Sequence, residues 1–274
     1  MHYQKKIALT AIAAAAMTLC AAISYAQQKA ATPAKPARAA RIAGQPNING
    51  VWQAMNSANW TLEAHSAEAL KGFWQLGSLA AIPAGQSVID GDGKVPYKPD
   101  ALAKRDANRA GWPKSDPETN CYLPGIPRAT YMPFPFQIIQ GNNEIIIAYP
   151  FASASRIIHM TDVGESPADA WMGWSRARWE GDTLVVNVTN QIDQTWFDRA
   201  GNFHSEALTV VERYSPVSAD VIQYEATMTD PKVFTRPWKI SLPLYRHLEK
   251  NAQVLEFKCV PFAEELVYGH LRKK

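Results

Sequence analysis

The side chains best suited to chemistry in this sequence lie within eleven residues, at Trp196, Asp198, Arg199, His204 and Glu206. Successive residues of a β-strand point to opposite faces, so His204 and Glu206 would share a face if a strand begins there. A histidine beside a carboxylate can be tuned for proton transfer near neutral pH. We therefore predict an acid–base site in which His204 is the acid or base and Glu206 or Asp198 orients it. Arg199 would hold an oxyanion or a carboxylate, unless these residues only stabilise the loop.

A second group of residues could line a binding pocket, because small-molecule pockets combine aromatic walls with a few polar groups. The group consists of His159, Trp171, Trp174, Trp196, Glu212, Glu225, Arg236 and Trp238. Structural alternatives stay open for the charged members, since Glu212 and Glu225 also fit solvent-side ion pairs between strands. Arg236 fits either a grip on an anionic substrate or a salt bridge to Asp230 that closes a turn.

Signatures of metals and cofactors are missing from the sequence. His159, Asp162 and His204 could contribute to a metal site, but no paired-histidine spacing supports one, and we predict no metal. The sequence also lacks a nucleophile elbow, a Walker loop, a dinucleotide-binding glycine motif and a haem attachment motif. We therefore predict no cofactor, and nucleotide-dependent enzymes are disfavoured.

The elements that would position these residues are indicated by apolar–polar alternation, which begins at Phe136. Nine segments show it: 136–140, 144–151, 154–160, 175–179, 183–189, 206–214, 221–229, 238–246 and 254–260. No helix between them is long enough for a crossover to a parallel strand. We predict an all-β fold, an antiparallel up-and-down meander that forms a lipocalin-like barrel or a strongly curved sheet. Closure is favoured because twist accumulates and open edges are a liability.

The rest of the chain is predicted to complete a single barrel-like domain at 46–274. Its parts are an irregular wrap at 46–135, the meander at 136–260 and a short helix or tail at 261–274. Within the wrap, a turn at Asn49 leads into a short strand, and helices are expected at 66–76 and 99–110. The proline-rich stretch 117–135 is expected to be an extended arm packed on the barrel.

The beginning of the chain is typical of export. Residues 1–26 combine a basic start, an apolar run at 7–23 and a small-residue cleavage site ending at Ala26, which indicates a secretory signal peptide. Residues 27–45 are rich in Ala, Pro, Lys and Arg and contain no acid, so they are predicted to be a flexible tether. We predict a periplasmic or secreted protein that is cleaved after Ala26 and then has no membrane span.

The charge balance gives no support for nucleic acid binding. The chain has 28 basic and 25 acidic residues, but residues 1–45 hold six of the basic and none of the acidic ones. Residues 46–274 therefore carry 22 basic against 25 acidic residues, a net charge of −3 with neutral histidines. A domain without excess positive charge lacks the electrostatic footprint of a nucleic acid partner.

Two cysteines remain after removal of the predicted signal peptide, Cys121 and Cys259. An even pair in an oxidising compartment predicts a disulfide bond. The alternative is two buried free thiols. A metal site is disfavoured because neither cysteine has a second Cys or a His at ligand spacing.

Several stretches resemble a large family of exported bacterial proteins, abundant in soil and aquatic species and calycin-like in architecture. They include WEGDTLVV at 179–186, TWFDRAGNFHSEAL at 195–208, VERY at 211–214, YEATMTDP at 224–231, FTRPWK at 234–239, LEFKC at 255–259, CYLPGIPR at 121–128 and MPFPFQIIQ at 132–140. The resemblance covers nearly all of 46–274 and implies export and the domain boundaries, and it brings no active site. Many members carry Glu where Pro150 stands and a DGR…HP pattern at 163–167, so roles at those positions do not carry over.

Three functions fit these observations. The first is a periplasmic enzyme without a cofactor, a lyase, isomerase or hydrolase that acts by acid–base chemistry on a small hydrophobic or aromatic molecule. The second is a non-catalytic, lipocalin-like carrier of a hydrophobic ligand. The third is an envelope protein that contacts a partner through the aromatic arm at 122–136. The enzyme requires His204 and Glu206 to face one enclosed cavity, whereas the carrier and the envelope protein do not.

Overall fold

A closed β-barrel dominates the computed structural model, which describes residues 37–70, 81–261, 263 and 270. Its strands are β3 (Gly50–Ala54), β6 (Phe136–Gln140), β7 (Glu144–Ala148), β8 (Ser155–His159), β9 (Trp174–Glu180), β10 (Thr183–Thr189), β11 (Thr209–Pro216), β12 (Val221–Thr229) and β13 (Trp238–Arg246). The described residues also form two separate two-stranded sheets, β1 (Arg41–Ile42) with β2 (Gln45–Pro46) and β4 (Glu68–Ala69) with β5 (Ala81–Ile82). The predicted signal peptide, most of the tether and most of the C-terminal helix lie outside the described residues.

The barrel closes in the order β3-β6-β7-β8-β9-β10-β11-β12-β13, which confirms the predicted all-β, lipocalin-like barrel. Strand direction cannot alternate all the way around a ring with an odd number of strands, so one neighbouring pair must be parallel. That pair is β8 and β9, where Ile158 lies opposite Ser175 and His159 opposite Arg176. Parallel neighbours need a longer connection than a hairpin turn, and residues 160–173 supply it.

The ninth barrel strand comes from the N-terminal wrap rather than from the end of the meander. β3 pairs with β13 on one side and with β6 on the other. The predicted strand at 254–260 does not form, because the edge of β13 that it would extend is already occupied by β3. This segment is tied instead by the disulfide between Cys121 and Cys259, with an S–S distance of 2.04 Å, which confirms the predicted bond.

Inward-facing side chains pack the interior of the barrel. Alternate positions along β10 to β13 are fully buried, among them Val186, Val210, Ala226 and Ile240. The opposite positions of the same strands are mostly half-buried or exposed, as expected when side chains alternate across a strand. Each large aliphatic side chain buried in this way stabilises the fold by roughly 1.5–3 kcal/mol.

Over its described residues, the wrap contains two helices, α1 (Pro99–Gly111) and α2 (Arg128–Tyr131). The prediction of a helix at 99–110 is confirmed. Proline at the first helical position, Asp100 in the first turn and Arg109 in the last turn all suit the helix and its dipole. Over the described residues, no helix is long and apolar enough to cross a membrane.

Two local predictions are corrected by the two small sheets. The helix predicted at 66–76 is wrong over its described part, where the β4–β5 ladder continues a bridge between His65 and Gly85. The end of the predicted flexible tether is ordered, because β1 and β2 form a hairpin there. This hairpin is held to the barrel by an ion pair of 2.7 Å between Arg41 and Asp182.

Candidate functional site

The loop that was predicted to hold acid–base chemistry is fixed by Asp198. Its carboxylate accepts hydrogen bonds from the backbone N–H groups of Leu62, Ala200 and Asn202 at 2.9, 3.0 and 3.2 Å, and from the Asn202 amide at 2.6 Å. Burial raises the pKa of Asp198 to about 6 in spite of these four donors. With all its hydrogen bonds inside the loop and to the 59–62 segment, Asp198 stabilises the loop.

His204 is buried and has two hydrogen-bond partners, neither of them a carboxylate. Its Nδ1 lies 2.8 Å from the carbonyl oxygen of Ser205, which can only accept, so Nδ1 carries the proton. Its Nε2 then accepts the hydroxyl proton of Thr195 at 2.6 Å. Burial lowers the pKa of His204 below its usual range, so the ring is neutral at neutral pH. Both ring nitrogens are thus used within the fold.

The structure does not bring His204 and Glu206 together. Glu206 is exposed and forms an ion pair with Lys232 on the surface. β11 begins at Thr209, three residues later than Glu206, and residues 206–207 form a turn in which Leu208 N–H bonds to Ser205. Strand alternation therefore does not apply at these positions, and the predicted common face is not formed.

Arg199, another of the predicted catalytic residues, lines a cavity. Its Nε and Nη2 donate to the two carboxylate oxygens of Glu118 at 2.7 and 2.8 Å. Its guanidinium also lies 4.3 Å from the ring centre of Trp60 and 5.9 Å from that of Trp112. A cation over an indole face is attracted by the negative charge of the ring face. Arg199 is therefore held in one orientation, with its partners on two sides.

The cavity beside Arg199 is an open groove of about 510 Å³, which we call the indole groove. Its apolar wall is formed by Trp60, Leu70, Ile82 and Trp112, and its charged lining by Glu63, Glu68, Lys94, Arg105, Arg109 and Arg199. The two indoles are 5.9 Å apart and tilted by 59°. Its walls come from the 60–70 segment, β5, the C-terminal half of α1 and the loop at 199–200.

Three buried polar atoms of groove-lining residues lack hydrogen-bond partners within the described residues, His65 Nε2, Trp112 Nε1 and Arg105 Nε. Arg105 Nε still lies 2.8 Å from the Asp106 carboxylate in an ion pair, so His65 and Trp112 hold the two atoms without any polar partner in the described chain. His65 Nδ1 lies 2.9 Å from the carbonyl oxygen of Glu63 and therefore carries the proton, so Nε2 is an acceptor. Buried polar groups in proteins are normally satisfied, and exceptions often mark functional sites. One acceptor and one donor at the groove are thus open to a ligand or to water.

Beneath Arg199 lies a buried ion cluster formed by Asn59, Asp116, Glu118 and Arg128. Arg128 donates to Asp116 at 2.9 and 3.1 Å, to Glu118 at 2.6 Å and to Asn59 at 2.9 Å. Burial alone would raise the pKa of Glu118, but Arg128 and Arg199 lower it to about 2. The ionised Glu118 thereby connects the buried cluster to the indole groove through Arg199.

The predicted aromatic ligand-binding residues lie in separate places. Trp171 stacks on Tyr122 with ring centres 4.9 Å apart, and Trp174 packs on His159 at 4.6 Å. Trp196 and Trp238 are buried, the former bridged to Phe203 and the latter packed edge-on against Phe197 and Phe234. The structure therefore does not assemble them into one pocket.

The predicted charged ligand-binding residues are used in ion pairs. Glu225 accepts from Lys239 at 2.6 Å on the outer face of the barrel, as the structural alternative proposed. Arg236 pairs with Asp92 at 3.1 Å rather than with Asp230. The Asp230 carboxylate instead accepts from Ser205 and from backbone N–H groups of its own turn.

Glu212 lies in the barrel interior, where it pairs with Arg156 from β8. Arg156 donates through both terminal nitrogens, one of them at 3.1 Å, and its Nε donates to Ser175 at 2.9 Å. The hydroxyl groups of Tyr214 and Tyr224 donate to Glu212 Oε1 at 3.0 and 2.8 Å. Burial raises the pKa of both tyrosines, so they remain neutral donors. The carboxylate therefore accepts four hydrogen bonds inside a packed core.

Sequence reasoning missed the groove residues of the irregular wrap, among them Trp60, His65, Arg109 and Trp112. These residues lie outside alternating strands, so no periodic pattern relates them. The available signal was local: two tryptophans in loops, and Arg105 and Arg109 four positions apart on one helix face.

Comparison with known proteins returns no relative. No family model, no curated protein and no solved structure matches the chain. The resemblance to exported bacterial proteins therefore stays a prediction. The function has to be inferred from the indole groove and its surroundings.

Proposed function

We propose that this protein is an exported binding protein for a small aromatic molecule, with the indole groove as its binding site. The observation that carries the proposal is the pair of half-buried indoles, Trp60 and Trp112, around the fixed guanidinium of Arg199. Aromatic walls with a few fixed polar groups are typical of small-molecule pockets, and the groove volume of about 510 Å³ lies in their usual range.

The immobility of Arg199 supports binding at this place. A side chain already held by Glu118 at 2.7 and 2.8 Å loses little further freedom when a ligand packs on it. An aromatic ring placed against Trp60 or Trp112 gains apolar burial plus about 0.5–1.5 kcal/mol from ring geometry. The groove is therefore partly organised for a planar ligand before the ligand arrives.

A binding function accounts for the predicted catalytic loop better than acid–base catalysis does. His204 uses both ring nitrogens within the fold, and Asp198 accepts four hydrogen bonds. Glu206 pairs with Lys232 on the surface. The loop therefore serves to position Arg199 at the groove, and its other residues stabilise the loop. Export remains part of the proposal on the strength of the predicted signal peptide, and the disulfide between Cys121 and Cys259 agrees with it.

Removal of the indoles is expected to abolish binding without unfolding the protein. Indole, naphthalene and phenyl derivatives would be screened by saturation-transfer NMR, and Kd values of the hits measured by calorimetry. Trp60→Ala and Trp112→Ala should each weaken binding at least about tenfold, because truncated aromatic anchors commonly cost 2 kcal/mol or more. The thermal midpoint of each variant would be recorded alongside.

The matched control is Trp171→Ala, which removes a tryptophan stacked on Tyr122 away from the indole groove. This variant should bind the same ligands as the unmodified protein. Equal affinity in all three tryptophan variants, or the absence of any aromatic hit, would overturn the proposed function.

A further inference from the structure

The charges that line the indole groove are unequal. Among the described lining residues are four cations, Lys94, Arg105, Arg109 and Arg199, and two carboxylates, Glu63 and Glu68. Most of these charges are already paired within the fold: Lys94 with Glu63 at 3.1 Å, Arg105 with Asp106 at 2.8 Å and Arg199 with Glu118 at 2.7 Å. Among the described lining residues, one cation, Arg109, and one carboxylate, Glu68, make no ion pair.

Arg109 is the cation best placed to take a new partner. It lies in the last turn of α1, is exposed, and makes no ion pair within the described chain. Arg105 lies one turn earlier on the same helix face and contacts Asp106 at 2.8 Å. A guanidinium offers two parallel donors that match the two oxygens of a carboxylate, which gives orientation as well as attraction.

From this lining we infer that the ligand of the indole groove is an aromatic carboxylate, whose ring packs on Trp60 and Trp112 and whose anionic group binds Arg109. The inference rests on the proposed function and specifies the chemical class of its ligand. The ring and the acid group would be recognised by different residues, so the two contributions can be measured separately.

A matched pair of probes tests the inference, indole-3-acetate and its neutral amide, which share the ring and differ in charge. Calorimetry at neutral pH and low ionic strength should give a Kd for the acid at least about tenfold below that of the amide. Arg109→Gln should raise the Kd of the acid to that of the amide and leave the amide unchanged. Added salt should weaken the binding of the acid and leave that of the amide unchanged, because salt screens the attraction between the two charges.

The control variant is Arg176→Gln, which removes another exposed arginine without an ion pair in the described chain, at a separate cavity. It should leave both Kd values unchanged. Equal binding of acid and amide, or an undiminished preference in Arg109→Gln, would overturn the inference while the proposed function stands. Failure of both probes and of every other aromatic compound to bind would overturn both.

Discussion

Glu212→Gln is expected to lower the free energy of unfolding by about 3–5 kcal/mol, because it leaves Arg156 charged and unpaired inside the barrel. Both side chains are almost completely buried, at 0% and 3% residue exposure. The Coulomb attraction of Glu212 raises the pKa of Arg156 further, against the effect of burial, so the arginine stays charged. Tyr214 and Tyr224 also lose a charged acceptor. Urea unfolding, followed by circular dichroism, measures the loss.

Arg156→Met should lower the free energy of unfolding by a similar amount, since it leaves the Glu212 carboxylate without its cation. The double variant Arg156→Met with Glu212→Leu should be more stable than either single variant, because no buried charge is left uncompensated. Glu206→Gln is the control, a glutamate whose ion pair with Lys232 lies in solvent, and it should leave stability unchanged. Single variants as stable as the unmodified protein would show that the interior pair is not required for the barrel.

Arg128→Met is expected to destabilise the protein by about 3–5 kcal/mol, because Asp116 and Glu118 then lose the cation between them. Arg128 is 1% exposed and donates to both carboxylates and to Asn59. Arg199 lies above this cluster, so the same substitution should disturb the indole groove and weaken ligand binding. Chemical unfolding and calorimetric titration of one sample measure both effects.

The pH dependence of stability gives an independent view of the same cluster. The pKa of Glu118 falls from 4.5 to about 2 on folding. Because folding lowers this pKa, the ionised Glu118 adds to the free energy of unfolding above pH 4.5, and this contribution is lost as the pH falls toward 2. This contribution is about 3 kcal/mol, at 1.36 kcal/mol for each pH unit between the two pKa values. The Glu118→Gln variant should have a lower free energy of unfolding at neutral pH than the unmodified protein, and it should lose less stability on acidification. An unchanged dependence of stability on pH would contradict this role of Glu118.

The strands of the barrel could be predicted because alternation is a local property of the sequence. Eight of the nine barrel strands, β6 to β13, coincide with or overlap segments with this pattern. The partner of β13 could not be predicted, since 50–54 and 254–260 both read as short strands. Only closure of the ring decides between them, and it selects β3.

The candidate site was harder to predict because it is assembled from segments far apart in the sequence. The prediction placed Arg199 in a catalytic site, as the holder of an oxyanion or a carboxylate, and Arg199 lines the groove. Its neighbours Trp60 and Trp112 come from irregular segments whose path is set by the buried cluster around Arg128. His204 has the residue type of a catalyst, but its role depends on Thr195 and Ser205, which no sequence pattern identifies.

Whether ligands bind in the indole groove or inside the barrel can be decided by NMR chemical-shift mapping on ¹⁵N-labelled protein. During titration with indole-3-acetate, the indole N–H signals of Trp60 and Trp112 and the backbone signals of Arg199 and Ala200 should shift together. The signals of β11 and β12, which carry Tyr214 and Tyr224 into the interior, should stay in place. Shifts concentrated on β11 and β12, with the groove signals unmoved, would place the binding site inside the barrel and rule out the indole groove.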